Sequence, residues 1–129
     1  MGQPLFHTAL LLAPTPVEGT SVRNALLQCG LENVLLAGEQ AEALSLLTQE
    51  PVDIVVTPWE LDGLPGRALL RALKQKGRHK QVPVLILDSG LTPQAMVAAV
   101  KAGAAGRLTL PPRRSRLEKL LKTVREGWP

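Results

Sequence analysis

Cysteine is nearly missing from this 129-residue sequence: Cys29 stands alone, so no internal disulfide can form, and little room is left for redox or cysteine–metal chemistry. Its place on the apolar stripe Val22, Leu26, Cys29 marks it as a small buried hydrophobe rather than a reactive thiol. Aromatic residues are also scarce, with no Tyr, one Phe and two Trp, so Leu, Val and Ala must fill the core and few rings are available to stack on bases. No apolar run approaches the length of a membrane span, Ala9 to Ala13 being far too short, and the first residues lack the basic start and cleavage site of a signal peptide. These absences imply a soluble, cytoplasmic protein with no membrane partner. The two histidines, His7 before the first apolar run and His79 in a basic stretch, accompany no nucleophile elbow, which argues against a Ser-His-Asp hydrolase.

What the chain does contain is an ordinary globular balance, 45% hydrophobic and 20% charged, with a formal net charge of +4. A chain of this length buries roughly two-thirds of its unfolded surface around one core, so a single domain over residues 1–129, with its core at about 8–125, is expected. Short apolar runs alternate with helical patterns throughout, as in parallel sheets buried on both faces. Strands are predicted at Thr8 to Ala13, Asn33 to Leu36, Val52 to Thr57, Val82 to Leu87 and Gly106 to Leu110.

Helices are predicted at about Glu18 to Gln28, Gln40 to Gln49, Leu64 to Lys76, from Thr92 through Val100 to Gly103, and Ser115 to Arg125. Gly30 and Gly77 end the first and third, Gly19 blurs the start of the first, and Thr92 followed by Pro93 reads as an N-cap and first turn. Five strands, each followed by a helix through short right-handed crossovers, imply an α/β fold: a flavodoxin-like, doubly wound (βα)5 sandwich whose parallel five-stranded sheet has the order 2-1-3-4-5. Chemistry in such a sheet belongs at the carboxyl ends of the first and third strands, where the order reverses.

The element order and several stretches resemble the receiver domain of bacterial response regulators in two-component signalling. VRNALLQCG, AEALSLL, PVDIVV, PVLIL and AVKAGAAGRL carry the resemblance, above all Lys101-Ala102-Gly103-Ala104 before the fifth strand, and it spans about Ala9 to Val124. A phosphorylatable receiver needs an acidic pair for Mg²⁺ after the first strand, an Asp acceptor after the third, a Thr or Ser after the fourth and a Lys after the fifth, because magnesium takes hard oxygen ligands and a transferring phosphoryl group needs its charge offset.

In a gapless match the acidic pair falls on Ala13 and Pro14, the acceptor on Pro58, the Thr/Ser position on Asp88 with Ser89 beside it, and the lysine on Leu110, which is followed by the proline receivers also carry there. All five positions have changed. The resemblance therefore implies a degenerate, aspartate-less pseudo-receiver, neither an enzyme nor the holder of a cofactor. Glu60 and Asp88 near the mouth, with Ser89, are weighed as a cation or small-ligand site, but two carboxylates without a third ligand or a basic companion read better as solvated loop residues. Asp53 and Asp62 are not convincing substitute acceptors.

By the same resemblance, the face made by the fourth helix, fifth strand and fifth helix is the partner surface. Here it is basic: Arg107 takes the place of a switch aromatic, with Lys101, Arg113, Arg114, Arg116, Lys119 and Lys122 around it. A solvated helix face is the competing account. The leading expectation is an atypical receiver working by protein–protein interaction without aspartyl phosphorylation, with a homodimer compatible with the sequence. The alternatives are a small-molecule sensor using the altered pocket and an accessory nucleic-acid-binding domain. The second basic cluster, Arg71, Lys74, Lys76, Arg78, His79 and Lys80, also offsets a helix dipole, and the lack of a helix-turn-helix or stacking aromatics argues against sequence-specific nucleic-acid recognition.

Overall fold

The computed structural model describes residues 6–13, 15–61, 64–65, 70–71, 82–88 and 90–127. Strands β1 (Thr8–Leu12), β2 (Asn33–Ala37), β3 (Ile54–Pro58), β6 (Val84–Asp88) and β7 (Gly106–Thr109) form one sheet ordered β2-β1-β3-β6-β7, and every pairing in it is parallel. That is the expected 2-1-3-4-5 order. Among the described residues, helices α1 (Pro16–Gln28), α2 (Gln40–Gln49), α3 (Pro93–Ala102) and α4 (Arg114–Gly127) pack on the two faces of the sheet. Among the described residues no helix is long and apolar enough to cross a membrane.

Strand residues alternate between two cores. Ala9, Leu11, Ile54, Val56, Leu85, Leu87 and Leu108 face one side, where Val22 and Leu26 of α1 and Leu117, Leu121 and Val124 of α4 cover them. Leu10, Leu12, Val55, Val84 and Ile86 face the other, under Ala43 and Leu47 of α2 and Ala99 of α3. The period of two sends successive side chains to opposite faces, which is why the central strands β1, β3 and β6 are buried along nearly their whole length. Phe6 and Trp59 are buried aromatics, and aliphatic side chains supply nearly all the rest of the core.

Two helix starts depart from the sequence reading, and strands β3 and β6 begin at Ile54 and Val84 rather than Val52 and Val82. Helix α1 begins at Pro16, with the Thr15 hydroxyl accepting from the Glu18 amide at 3.1 Å, the same Thr-Pro start that opens α3 at Thr92 and Pro93. Gly19 lies inside α1 because a Cβ there would stand 3.2 Å from the Ala13 Cβ; the glycine lets the helix approach the end of β1. The third predicted helix does not begin at Leu64. Leu64–Pro65 form β5, antiparallel to β4 (Glu60–Leu61), and the residues between them, Asp62 and Gly63, are the pair favoured in two-residue hairpin loops. Of the rest of that segment only Leu70, buried, and Arg71 are described, both with helical backbone; Lys74, Lys76, Arg78, His79 and Lys80 lie outside the described residues.

Helix ends follow the expected chemistry. Gly30 and Gly103 take positive φ angles of 103° and 107° just past α1 and α3, a conformation that other residues adopt only with strain. Cys29 is the C-cap of α1, half-buried against the first core with Sγ 3.8 Å from the Arg114 carbonyl. Burial, then the nearby Glu118 carboxylate, pushes its thiol pKa up, in keeping with an unreactive thiol.

Candidate functional site

Residues singled out in the sequence gather at the carboxyl ends of the strands. Ala13 directly follows β1, Pro58 ends β3, Asp88 ends β6 and Leu110 follows β7. Pro14 and Ser89 lie outside the described residues, as does the side chain of Glu60, whose backbone is in β4. A cavity of about 430 Å³ opens here between the start of α1 and the segment after β7, lined by Glu18, Ser21, Asp88, Thr109, Leu110 and the cis-bonded Pro111 among others. A second cavity of about 340 Å³ lies beside it, lined by Pro58, Trp59, Leu87, Thr92 and their neighbours. Thr57 is buried, its hydroxyl donating to the Pro58 carbonyl at 3.1 Å.

Asp88 is the site's best-tied side chain. Its Oδ1 accepts from the Gly90 amide at 3.0 Å and the Leu91 amide at 2.8 Å, an aspartate-centred turn that shapes the loop leading into α3. Its Oδ2 stands 3.5 Å from the Arg107 guanidinium. Hydrogen bonds from Leu91 and then Gly90 lower its pKa and outweigh its partial burial, and Arg107 adds a smaller push in the same direction.

A carboxylate so depressed contributes stability in full above its unfolded pKa of about 3.9, and that contribution is lost as pH falls through the lower folded-state value. Asp88→Asn keeps an acceptor for the two amides and removes the charge. Its urea midpoint should therefore fall less steeply than the wild type's as pH drops below about 4. Parallel pH profiles for the two proteins would contradict this account of Asp88. Arg107 itself is more than half exposed, so the ion pair adds about 1 kcal/mol at most.

Magnesium does not fit these residues. Ala13, Pro58 and Leu110 present no side-chain oxygen, and among the described residues no group of three His, Cys, Asp or Glu could hold a metal. One carboxylate escaped the sequence reading. Glu18 lines the larger cavity, and its Oε2 is buried with no hydrogen-bond partner among the described residues. The Thr15-Pro16 helix start was the signal that could have found it, because it places Glu18 in the first turn beside the end of β1.

The basic residues divide between two surroundings. Arg107, Arg113, Arg116 and Lys119 line a groove of about 440 Å³ between β7 and α4, with Leu108, Thr109, Leu120 and Thr123. Arg114 lies outside that lining and pairs with Glu118 one turn along α4, at 2.9 Å. Lys101 lies on α3, exposed, near the exposed Val97 and Val100 of the same helix.

Comparison with known proteins agrees with this architecture. The family described as the response regulator receiver domain matches residues 16–122, a span that begins just beyond Ala13 and Pro14. The chemotaxis protein CheY of Pseudomonas aeruginosa is 31% identical over 90 residues, covering 70% of this chain and 73% of that protein. The crystal structure of the Vibrio cholerae chemotaxis protein CheY4 superposes with a TM-score of 0.82 at 22% identity, covering 92% of this chain and 98% of that one. The receiver domain of the sensor histidine kinase PA1611 from Pseudomonas aeruginosa, solved with magnesium coordinated in its active-site cleft, gives a TM-score of 0.80 at 20% identity over 95% of this chain and 99% of that one. With the family matched across α1 to α4 and the sheet order in agreement, this chain belongs to the response regulator receiver domain family of two-component signalling.

Proposed function

We propose that this receiver domain is an atypical one that signals through protein–protein interaction without aspartyl phosphorylation, as a single cytoplasmic domain and not an enzyme. The observation that carries the reading is the chemistry at the strand ends: Ala13, Pro58 and Leu110 supply neither metal ligand, nucleophile nor ammonium, while the Asp88 carboxylate is engaged by its own loop and Arg107. Without a nucleophile at Pro58 no aspartyl phosphate can form there, and without a metal ligand at Ala13 or an ammonium at Leu110 the groups that offset the charge of the transferring phosphoryl are missing. Pro14, Ser89 and Glu60 belong to the same degenerate pocket by register. The partner surface is the face of α3, β7 and α4, which carries Lys101, Arg107, Arg113, Arg114, Arg116 and Lys119 beside the exposed Val97 and Val100.

Incubation with acetyl phosphate and Mg²⁺ is expected to leave the intact mass unchanged, with no phosphate retained. A mass increase of one phosphoryl group, labile to hydroxylamine, would overturn the reading. The unpartnered Glu18 oxygen supports a second one, in which the cavity lined by Glu18, Asp88 and Leu110 senses a small polar or cationic molecule. A metabolite that raised the melting temperature of wild type but not of Glu18→Gln would favour it, since a ligand at a hundred times its dissociation constant adds about 2.7 kcal/mol.

A further inference from the structure

Charge is divided unevenly across the sheet. No Lys or Arg occurs between Arg23 and Arg67, and that stretch holds seven of the chain's eleven acidic residues. Glu32, Glu39, Glu42 and Glu50 among them flank β2, one edge strand of the sheet, or belong to α2 and its ends. From Lys101 to Arg125 the balance reverses, with eight Lys or Arg against Glu118 alone, and that stretch supplies β7, the other edge strand, and most of α4. The net charge of +4 thus conceals an acidic edge and a basic edge separated by the width of the sheet.

At the acidic edge Leu36 of β2 is 46% exposed and lines a groove of about 430 Å³ together with Thr15, Thr20, Gly38 and Glu42. Glu39 and Glu42 are exposed and form no ion pair among the described residues, and the same holds for Arg113, Arg116 and Lys119 at the basic edge. Carboxylates at the start of α2 offset its dipole, which accounts for Glu39 and Glu42 individually but not for an edge without a single cation. We propose that the β2–α2 edge is a docking surface for a second copy of this chain, which meets it head to tail with its own β7–α4 edge. Arg113, Arg116 and Lys119 of the incoming copy face Glu39 and Glu42, and their hydrocarbon stems cover Leu36. The proposal rests on the protein-interaction reading above and adds a surface and a partner to it.

Other arrangements leave these groups unmatched. A two-fold dimer sets each edge on its own copy, cation against cation or carboxylate against carboxylate. Nucleic acid would engage the basic edge through its phosphates and leave Leu36, Glu39 and Glu42 unused. A head-to-tail contact matches both edges at once, and because each added copy leaves one edge of either kind free, it extends into a row.

The test is analytical ultracentrifugation of the 129-residue chain over a range of concentrations at about 0.05 M salt, where the screening length exceeds roughly 10 Å. Mean mass is expected to rise past twice the monomer's 13.8 kDa and to return to the monomer at about 1 M salt, where that length shrinks to about 3 Å. Glu39→Lys/Glu42→Lys and Arg116→Glu/Lys119→Glu should each be monomeric alone. Mixed, they should pair and grow no further, since the first keeps an intact basic edge and the second an intact acidic one. All four side chains are exposed, so melting temperatures should stay near the wild type's. Glu39→Gln/Glu42→Gln, which sets no cation at the start of α2, should also weaken association by roughly tenfold or more. A wild type that stays monomeric or stops at a dimer would overturn the proposal. So would association that persists in either charge-reversed variant alone, or a mixture that does not pair. The mass after acetyl phosphate treatment reads the phosphorylation question alone, so failure of that reading and failure of this one are separable.

Discussion

Leu121→Ala is expected to remove about 2–5 kcal/mol of unfolding free energy, a large part of the roughly 5–15 kcal/mol that holds a domain together. Leu121 is 1% exposed on α4 and packs with Leu26 of α1 and Leu85 and Leu108 of the sheet in the first core. Truncation there loses transfer free energy and leaves a cavity that aliphatic neighbours, already close-packed, fill only in part. In urea the midpoint should drop by about 1–3 M with the slope nearly unchanged. Lys122→Ala, the exposed neighbour, should stay within about 0.5 kcal/mol of wild type. A loss of stability under about 1 kcal/mol would show that α4 is not seated as described.

Asp53→Ala is the second large loss expected, about 1.5–3 kcal/mol. Asp53 stands just before β3, and its two oxygens accept from the His7 amide at 2.8 Å and the Thr8 amide at 2.9 Å, clamping the start of β1. The same corner joins β2, since the His7 carbonyl accepts from the amides of Glu32 and Asn33 and the His7 ring contacts Glu32 at 2.7 Å. Alanine would leave the half-buried Thr8 amide without its acceptor, and the charge-assisted bonds lost are stronger than neutral ones. Asparagine retains one side-chain acceptor, so Asp53→Asn should lose about half as much. Faster hydrogen exchange at the His7 and Thr8 amides in Asp53→Ala would locate the effect, and unchanged exchange there would refute the clamp.

The two aspartates show how far residue-level reading reaches. Asp53 had no motif and read only as an unconvincing substitute acceptor near the start of a predicted strand. Its role depends on His7 and Thr8, 46 and 45 positions earlier, which only strand pairing brings near. Asp88 was placed correctly at the end of its strand, but its bonds to Gly90 and Leu91 and its approach to Arg107 depend on the loop conformation and on β7 lying beside β6. The hairpin β4-β5 was missed because Ala68, Leu69 and Leu73 suggest helical spacing, and that pattern drew the predicted start back to Leu64. Asp62-Gly63 carried the opposing signal.

By itself the sequence determined the number and order of the sheet's strands, the two-faced burial of the central strands β1, β3 and β6, the Thr-Pro start of α3 and the glycine stops after α1 and α3, because hydrophobic period and cap chemistry are local properties of consecutive residues. It also determined that no side chain at Ala13, Pro58 or Leu110 can ligate a metal or accept a phosphoryl group. Only the tertiary structure decided which charges are spent and which are free. Among the described residues Arg114 is taken by Glu118 and Arg107 leans on Asp88, while Arg113, Arg116 and Lys119, which line the groove between β7 and α4, form no ion pair. The physical reason is that charge pairing depends on distances of a few ångströms between elements, and those distances exist only once β7 and α4 have packed on the sheet.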